Sequence, residues 1–211
     1  MTLIAAMRED DESILLAADS GKQTTPGPTE QLKLDKLMKH NEAPLAWGPS
    51  GNWGLEAQQL CISLTDLDVS SGDWTVVTKD IADRLAKHNG EQRQRMTLSG
   101  VQPVSDTATQ LLTVGWLGGQ PGITEFDGTG RITPYLDVGF HAIGSGGVHA
   151  VVAQFALSKV TGISPLDKLK LTLQTAIQLA PGCDFPAHIW RIRLDGIEDV
   201  LSPGAASGHT P

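Results

Sequence analysis

The chain has 211 residues, 40% hydrophobic content and 23 glycines, which fits one ordinary globular domain with tight turns. Its net charge is -8 with the basic residues scattered, so nucleic acid and anionic membrane are not expected as partners. No apolar run approaches the ~18 residues of a membrane span, and no basic segment leads into an apolar stretch at the start. Cys61 and Cys183 lie far apart without a CxxC partner; this points to a reducing compartment, with a microbial cytoplasm as the expected location, and away from zinc.

Two apolar runs, Leu3 to Met7 and Ser13 to Ala18, flank the polar turn Arg8 to Glu12 and predict a hairpin of mostly buried strands. Gly21 to Gln31 carries Pro26, Gly27 and Pro28 and is predicted as a loop. Leu32 to Leu37 alternates apolar and polar side chains, as a half-buried strand does. Pro44 to Trp47 continues into the turn-rich Gly48-Pro49-Ser50-Gly51-Asn52. Leu55 to Leu67 and Val76 to His88 carry apolar residues at helical spacing, and a polar stretch from Asn89 to Arg95 follows. Gln110 to Trp116 and Pro121 to Phe126 predict paired strands, with the turn Asp127 to Gly130 beyond. His141 to Ile143 runs into Gly144-Ser145-Gly146-Gly147, before a helix over Val148 to Val160. Pro165 opens another helix, His188 to Leu194 is a last strand, and residues 201–211 are expected as a flexible tail on a single domain over 1–200. Strands, two helices, strands, two helices and a strand do not alternate as a doubly wound parallel sheet would. An α+β arrangement of two stacked antiparallel sheets between two helix layers fits better.

Thr2 lies directly behind Met1. Freed of Met1, it would carry both a hydroxyl nucleophile and an α-amine whose reference pKa is about 7.7–8.0, close enough to neutrality to act as a base. With Met1 attached, its nitrogen is a planar amide and no base. Other residues keep plainer readings open. Asp19-Ser20 could simply end a strand in a turn, and Lys36 could be a solvated strand residue. Gly144 to Gly147 could cap a helix or cradle an anion, although a P-loop lysine and dinucleotide spacing are missing. The six histidines show no metal-ligand spacing, and no cofactor is expected.

Taken in order, Thr2-Leu3-Ile4-Ala5, Ile14 to Ser20, Leu34-Asp35-Lys36-Leu37, Trp47 to Gly51, Gly115 to Pro121 and Ala142 to Gly147 resemble the proteasome β-type subunits and the bacterial HslV-like peptidases. These are N-terminal-nucleophile (Ntn) hydrolases. The resemblance implies the four-layer αββα sandwich of that fold. It also implies a threonine peptidase with Thr2 as nucleophile, Lys36 depressing the pKa of the Thr2 hydroxyl and amine, and Asp19 holding Lys36. Ser145 would support the amine, and the Gly51 N–H would bind the oxyanion, with Ser50 one alignment position away. Side chains near Gln23, Lys33 and Trp47 would shape the substrate pocket. Stacked rings of self-associated subunits are implied, acting on peptides or unfolded protein and leaving room for an ATP-dependent unfoldase. The sequence departs from the family before its last strand, where active members carry an aspartate and, three residues on, a serine. Aligned on His188 to Ile192, those positions hold Ala180 and Cys183. That departure keeps two alternatives: a catalytically inactive structural subunit that retains Met1, and an Ntn amidohydrolase acting on a small amide.

Overall fold

The computed structural model describes residues 2–20, 36–51, 55–100 and 108–201. Among these residues ten strands form two five-stranded sheets, in the orders β10-β9-β2-β1-β8 and β3-β4-β5-β6-β7. The first contains β1 (Ile4–Arg8), β2 (Ser13–Ala18), β8 (Phe140–Ile143), β9 (His188–Arg193) and β10 (Gly196–Leu201). The second contains β3 (Met38–Lys39), β4 (Leu45–Ser50), β5 (Gln110–Leu117), β6 (Gln120–Phe126) and β7 (Ile132–Pro134). All pairings are antiparallel among the described residues. Among the described residues four helices flank the sheets: α1 (Leu55–Ser63), α2 (Trp74–Leu98), α3 (Gly147–Leu157) and α4 (Pro165–Leu179).

The period-2 alternation of β1 and β2 builds the layers. Ile4, Ala6, Ile14, Leu16 and Ala18 face the second sheet and meet Ala46, Leu112, Val114 and Ile123. Leu3, Ala5, Met7, Leu15 and Ala17 face the other way and pack on Leu169, Leu173, Ala176 and Ile177 of α4. The second sheet turns Leu45, Trp47, Leu111 and Phe126 outward onto Leu60, Leu64, Val77, Ile81 and Leu85. Three apolar slabs thus separate four layers, and the expected αββα sandwich is the fold found. Strands covered on both faces explain why Ile14 to Ala18 reads as an unbroken apolar run.

Several elements differ from the sequence expectation. β4 runs straight through Gly48, Pro49 and Ser50 rather than turning at Gly48. Gly48 is there because its missing side chain makes room for Ile4 of the facing sheet, only 2.7 Å from where a Cβ would stand. Helix α2 continues through the polar stretch to Leu98, since exposed Glu, Gln and Arg favour helix without leaving an apolar period. Within it, Asn89 replaces an apolar anchor and bonds the Thr109 backbone and the Gly128 carbonyl. β7 and β10 were not expected, and the hairpin dipeptide Asp195-Gly196 is the readable signal for β10. The predicted loop over 21–31, most of the strand predicted over Leu32 to Leu37, and residues 202–211 of the tail lie outside the described residues.

Candidate active site

The start of β1, the end of β2 and the turn after β8 converge on Thr2, which is 6% exposed. The buried carboxylate of Asp19 is the junction. Its Oδ1 accepts the Leu3 N–H at 2.7 Å and the Lys36 ammonium at 2.7 Å. Its Oδ2 accepts the Asp184 N–H at 3.3 Å. In return the Asp19 N–H donates to the Leu3 carbonyl at 3.1 Å. The Asp19 and Lys36 side chains are 0% and 6% exposed, so the pair is desolvated and one carboxylate fixes the residue next to Thr2 and the lysine together. This burial excludes the solvated reading of Lys36, and Asp19, which follows the end of β2, does more than end a strand.

Ser145 meets Thr2 from the other side. Its Oγ accepts the Thr2 N–H at 3.3 Å and donates to the Thr2 carbonyl at 3.4 Å, where the Gly146 N–H also donates at 3.4 Å. Gly144 makes this approach possible. It has φ +87°, and a Cβ there would lie 2.2 Å from the Thr2 carbonyl oxygen and 3.4 Å from the Ser50 Cβ. Across this glycine the end of β4 meets the start of β1. Gly51 follows with φ +97°, and a Cβ there would stand 2.2 Å from the Ala108 carbonyl, so the backbone after Ser50 is committed to glycine. The Ser50 hydroxyl donates to Gln110 at 3.2 Å.

The structure therefore brings Thr2, Asp19, Lys36 and Ser145 together and sets Ser50-Gly51 beside them. Cys183, the residue standing where the resemblance asks for a serine, lies 3.8 Å from the Ser145 Oγ. Burial pushes its thiol up, the Asp19 carboxylate adds to this, and the Ser145 hydrogen bond and Lys36 oppose it more weakly. Asp184 takes part through its backbone: besides the bond to Asp19, its carbonyl accepts the Ser20 N–H at 3.1 Å, while its carboxylate accepts the Phe185 N–H at 2.8 Å. This pinning of the loop before β9 carries no residue-type signal, so sequence alone could not reveal it. Ala180 is buried in the helix-side core. Trp47 itself is fully buried beneath α1 and α2. Gln23 and Lys33 lie outside the described residues.

Among the described residues, no cluster of three His, Cys, Asp or Glu could hold a metal, and no helix is long and apolar enough to cross a membrane. The chain matches the crystal structure of eukaryotic HslV from Trypanosoma brucei with a TM-score of 0.63 and 20% identity, over 91% of this chain and 99% of that one. The likeness establishes the HslV and proteasome β-type fold. No protein-family model matches the sequence, and no curated protein matches it.

Proposed function

We propose that this chain is a threonine-type peptidase subunit of a proteasome-like ring assembly, active once Met1 is removed. The observation that carries the reading is the convergence on Thr2: Ser145 at its nitrogen, the Asp19–Lys36 pair anchored to the next residue, and Ser50-Gly51 alongside. The freed amine would take the Thr2 hydroxyl proton through a water as Oγ attacks a peptide carbonyl. An acyl-enzyme would form, the amine would return the proton to the leaving amine, and water would release the acyl group. Lys36 supplies positive charge that favours the ionised hydroxyl, and Asp19 fixes it. Ser145 orients the amine. The Gly51 N–H donates to the developing oxyanion, an interaction typically worth roughly 2.7–4 kcal/mol.

Assembly into rings is supported by α3, whose outer face leaves Val148, Val152 and Phe155 at 65–73% exposure, a large apolar stripe for a free surface. Peptide or unfolded protein would reach an enclosed chamber, with an ATP-dependent unfoldase as the partner class to seek.

A second reading is an inactive ring subunit that keeps Met1. Ala180 and Cys183 favour it, because a carboxylate and a hydroxyl that would support the amine are replaced. Intact mass of natively produced protein separates the two. Retained Met1 sinks the peptidase. If Met1 is gone, a threonine-directed epoxyketone should label the wild type and leave Thr2→Ala unlabelled; equal labelling would remove Thr2 from the chemistry. Light scattering tests assembly, and a stable monomer would refute it.

A further inference from the structure

Ser145 reaches Thr2 from the turn that follows β8, so the placing of β8 decides whether that contact exists. Among the described residues β8 is the outermost strand of its sheet and pairs with β1 alone, through four residue pairs. Phe140 and Ala142 sit in the apolar core shared with α4, whereas His141 and Ile143 point at the other sheet. Apolar packing by itself leaves the register of so short a ladder loosely specified. A slip of two residues keeps every side chain on its own face. It would also move Ser145 about 7 Å along the strand, away from Thr2.

His141 opposes that slip. Its Nε2–H donates to the Glu125 Oε2 of β6 at 2.8 Å, and the Tyr135 hydroxyl donates to the same oxygen at 3.1 Å. The Tyr135 ring lies flat on the imidazole, with centroids 3.5 Å apart and planes 6° from parallel. Tyr135 is itself anchored, because its N–H donates to the Ile123 carbonyl of β6 at 2.8 Å. Its carbonyl accepts the Val138 and Gly139 N–H groups, closing the turn that leads into β8. The His141 and Glu125 side chains are 16% and 19% exposed, so the contact is largely shielded from water. Burial holds the His141 pKa below its ordinary 6.5, against the opposite pull of Glu125. The ring is therefore neutral near pH 7, with its one N–H committed to the carboxylate. After a two-residue slip, Glu125 would face Ile143 or Gly139 and lose that donor.

We infer that Glu125, Tyr135 and His141 form a positioning device that locks β8 in register and so holds Ser145 against Thr2. The lock does not depend on any activity; its effect on catalysis rests on the peptidase reading. His141 is a positioning residue that acts through Ser145.

The Gly146 N–H donates to the Thr2 carbonyl, so its hydrogen exchange reports the lock in active and inactive protein alike. In His141→Leu, an apolar replacement that fills the site, we expect Gly146 to exchange about tenfold faster than in wild type, for the loss of one hydrogen bond to a charged group. His141→Gln keeps an amide that can donate to Glu125 and should recover most of the difference. Leu85→Ala opens a cavity in the slab under α2; it controls for a general fall in stability and should leave Gly146 near wild type. In protein freed of Met1, epoxyketone labelling of Thr2 should be about five- to tenfold slower in His141→Leu and largely restored in His141→Gln. Exchange that is unchanged in His141→Leu, equally fast in His141→Gln, or raised as much by Leu85→Ala would overturn the lock. Equal labelling of all variants despite faster exchange would overturn its part in catalysis. A wild type that takes no label while exchange obeys the expected order would overturn the peptidase reading and leave the lock supported.

Discussion

Replacing Asp19 by Asn tests the electrostatic junction with almost no change of shape. The carboxylate is fully buried and accepts from Leu3, Lys36 and Asp184. Asparagine keeps one acceptor oxygen, but its NH2 must face a donor that the second carboxylate oxygen now serves. The larger loss is the charge that Lys36 faces. Removing one partner of a buried ion pair costs about 3–5 kcal/mol, because the other charge stays desolvated. The retained oxygen argues for the lower end, about 3 kcal/mol, which for a domain of this size lowers Tm by about 6–12 °C. Urea unfolding at neutral pH measures the loss. The double variant Asp19→Asn/Lys36→Met isolates its cause, since removing the stranded ammonium should make it no less stable than Asp19→Asn alone. A loss below about 1 kcal/mol, or additive losses in the double variant, would show that the pair is not the buried unit described.

Other expectations follow from single contacts. Gly144→Ala puts a methyl group onto the Thr2 carbonyl at φ +87°; we expect epoxyketone labelling of Thr2 to disappear and stability to fall by about 1–3 kcal/mol. Glu9 makes a bidentate pair with Arg191 at 2.5 and 2.8 Å, joining the β1–β2 turn to β9. The Arg191 hydrogen bond holds the Glu9 pKa below its ordinary 4.5 against the opposing effect of burial. A depressed folded-state pKa contributes stability above pH 4.5 that is lost as pH falls through the lower folded value. Glu9→Gln should therefore cost about 1.5 kcal/mol at neutral pH, and the gap from wild type should close in acid; a gap that widens there would reverse the argument. Val152→Asp with Phe155→Asp should break any assembly larger than a monomer in light scattering while leaving the melting of the subunit little changed.

The sequence made the layers legible where both faces of a strand are buried or a helix carries a regular stripe. β1, β2, β5 and α4 are of this kind: the three strands are buried along almost their whole length, and α4 buries one stripe, Leu169, Thr172, Leu173, Ala176 and Ile177. It failed where polar residues do structural work. The second half of α2 has no apolar period, and in β4 a Gly-Pro pair fills a close sheet-to-sheet contact instead of a turn. At the site, Thr2, Asp19, Lys36, Ser145 and Gly51 could be named only because their ordered spacing resembles a known pattern; no local signal in Leu34 to Leu37 says which carboxylate the lysine meets. The Asp184 backbone bonds had no signal at all, because any residue but proline could make them.

Those backbone bonds decide what Cys183 can do. A sulfur 3.8 Å from the Ser145 Oγ is a weak partner, so the serine hydroxyl is held mainly by Thr2 itself. Restoring a serine at 183 looks like a repair, and hydroxyl pairs are indeed strong when their oxygens are about 2.5–3.0 Å apart. Yet the C–O bond is shorter than C–S, so the new oxygen would sit farther from Ser145 unless the loop moved inward. The loop is tied to Asp19 and Ser20 through Asp184, and the sulfur already packs close to Gly146, where a Cβ would lie 3.2 Å from it. In protein freed of Met1, we therefore expect Cys183→Ser and Cys183→Ala to label at Thr2 equally, each about two- to fivefold more slowly than wild type, the loss of one weak hydrogen bond. Rates measured across pH would show whether the amine titrates differently. A serine variant faster than wild type would mean that the loop yields, and that the Asp19 junction is softer than its buried bonds imply.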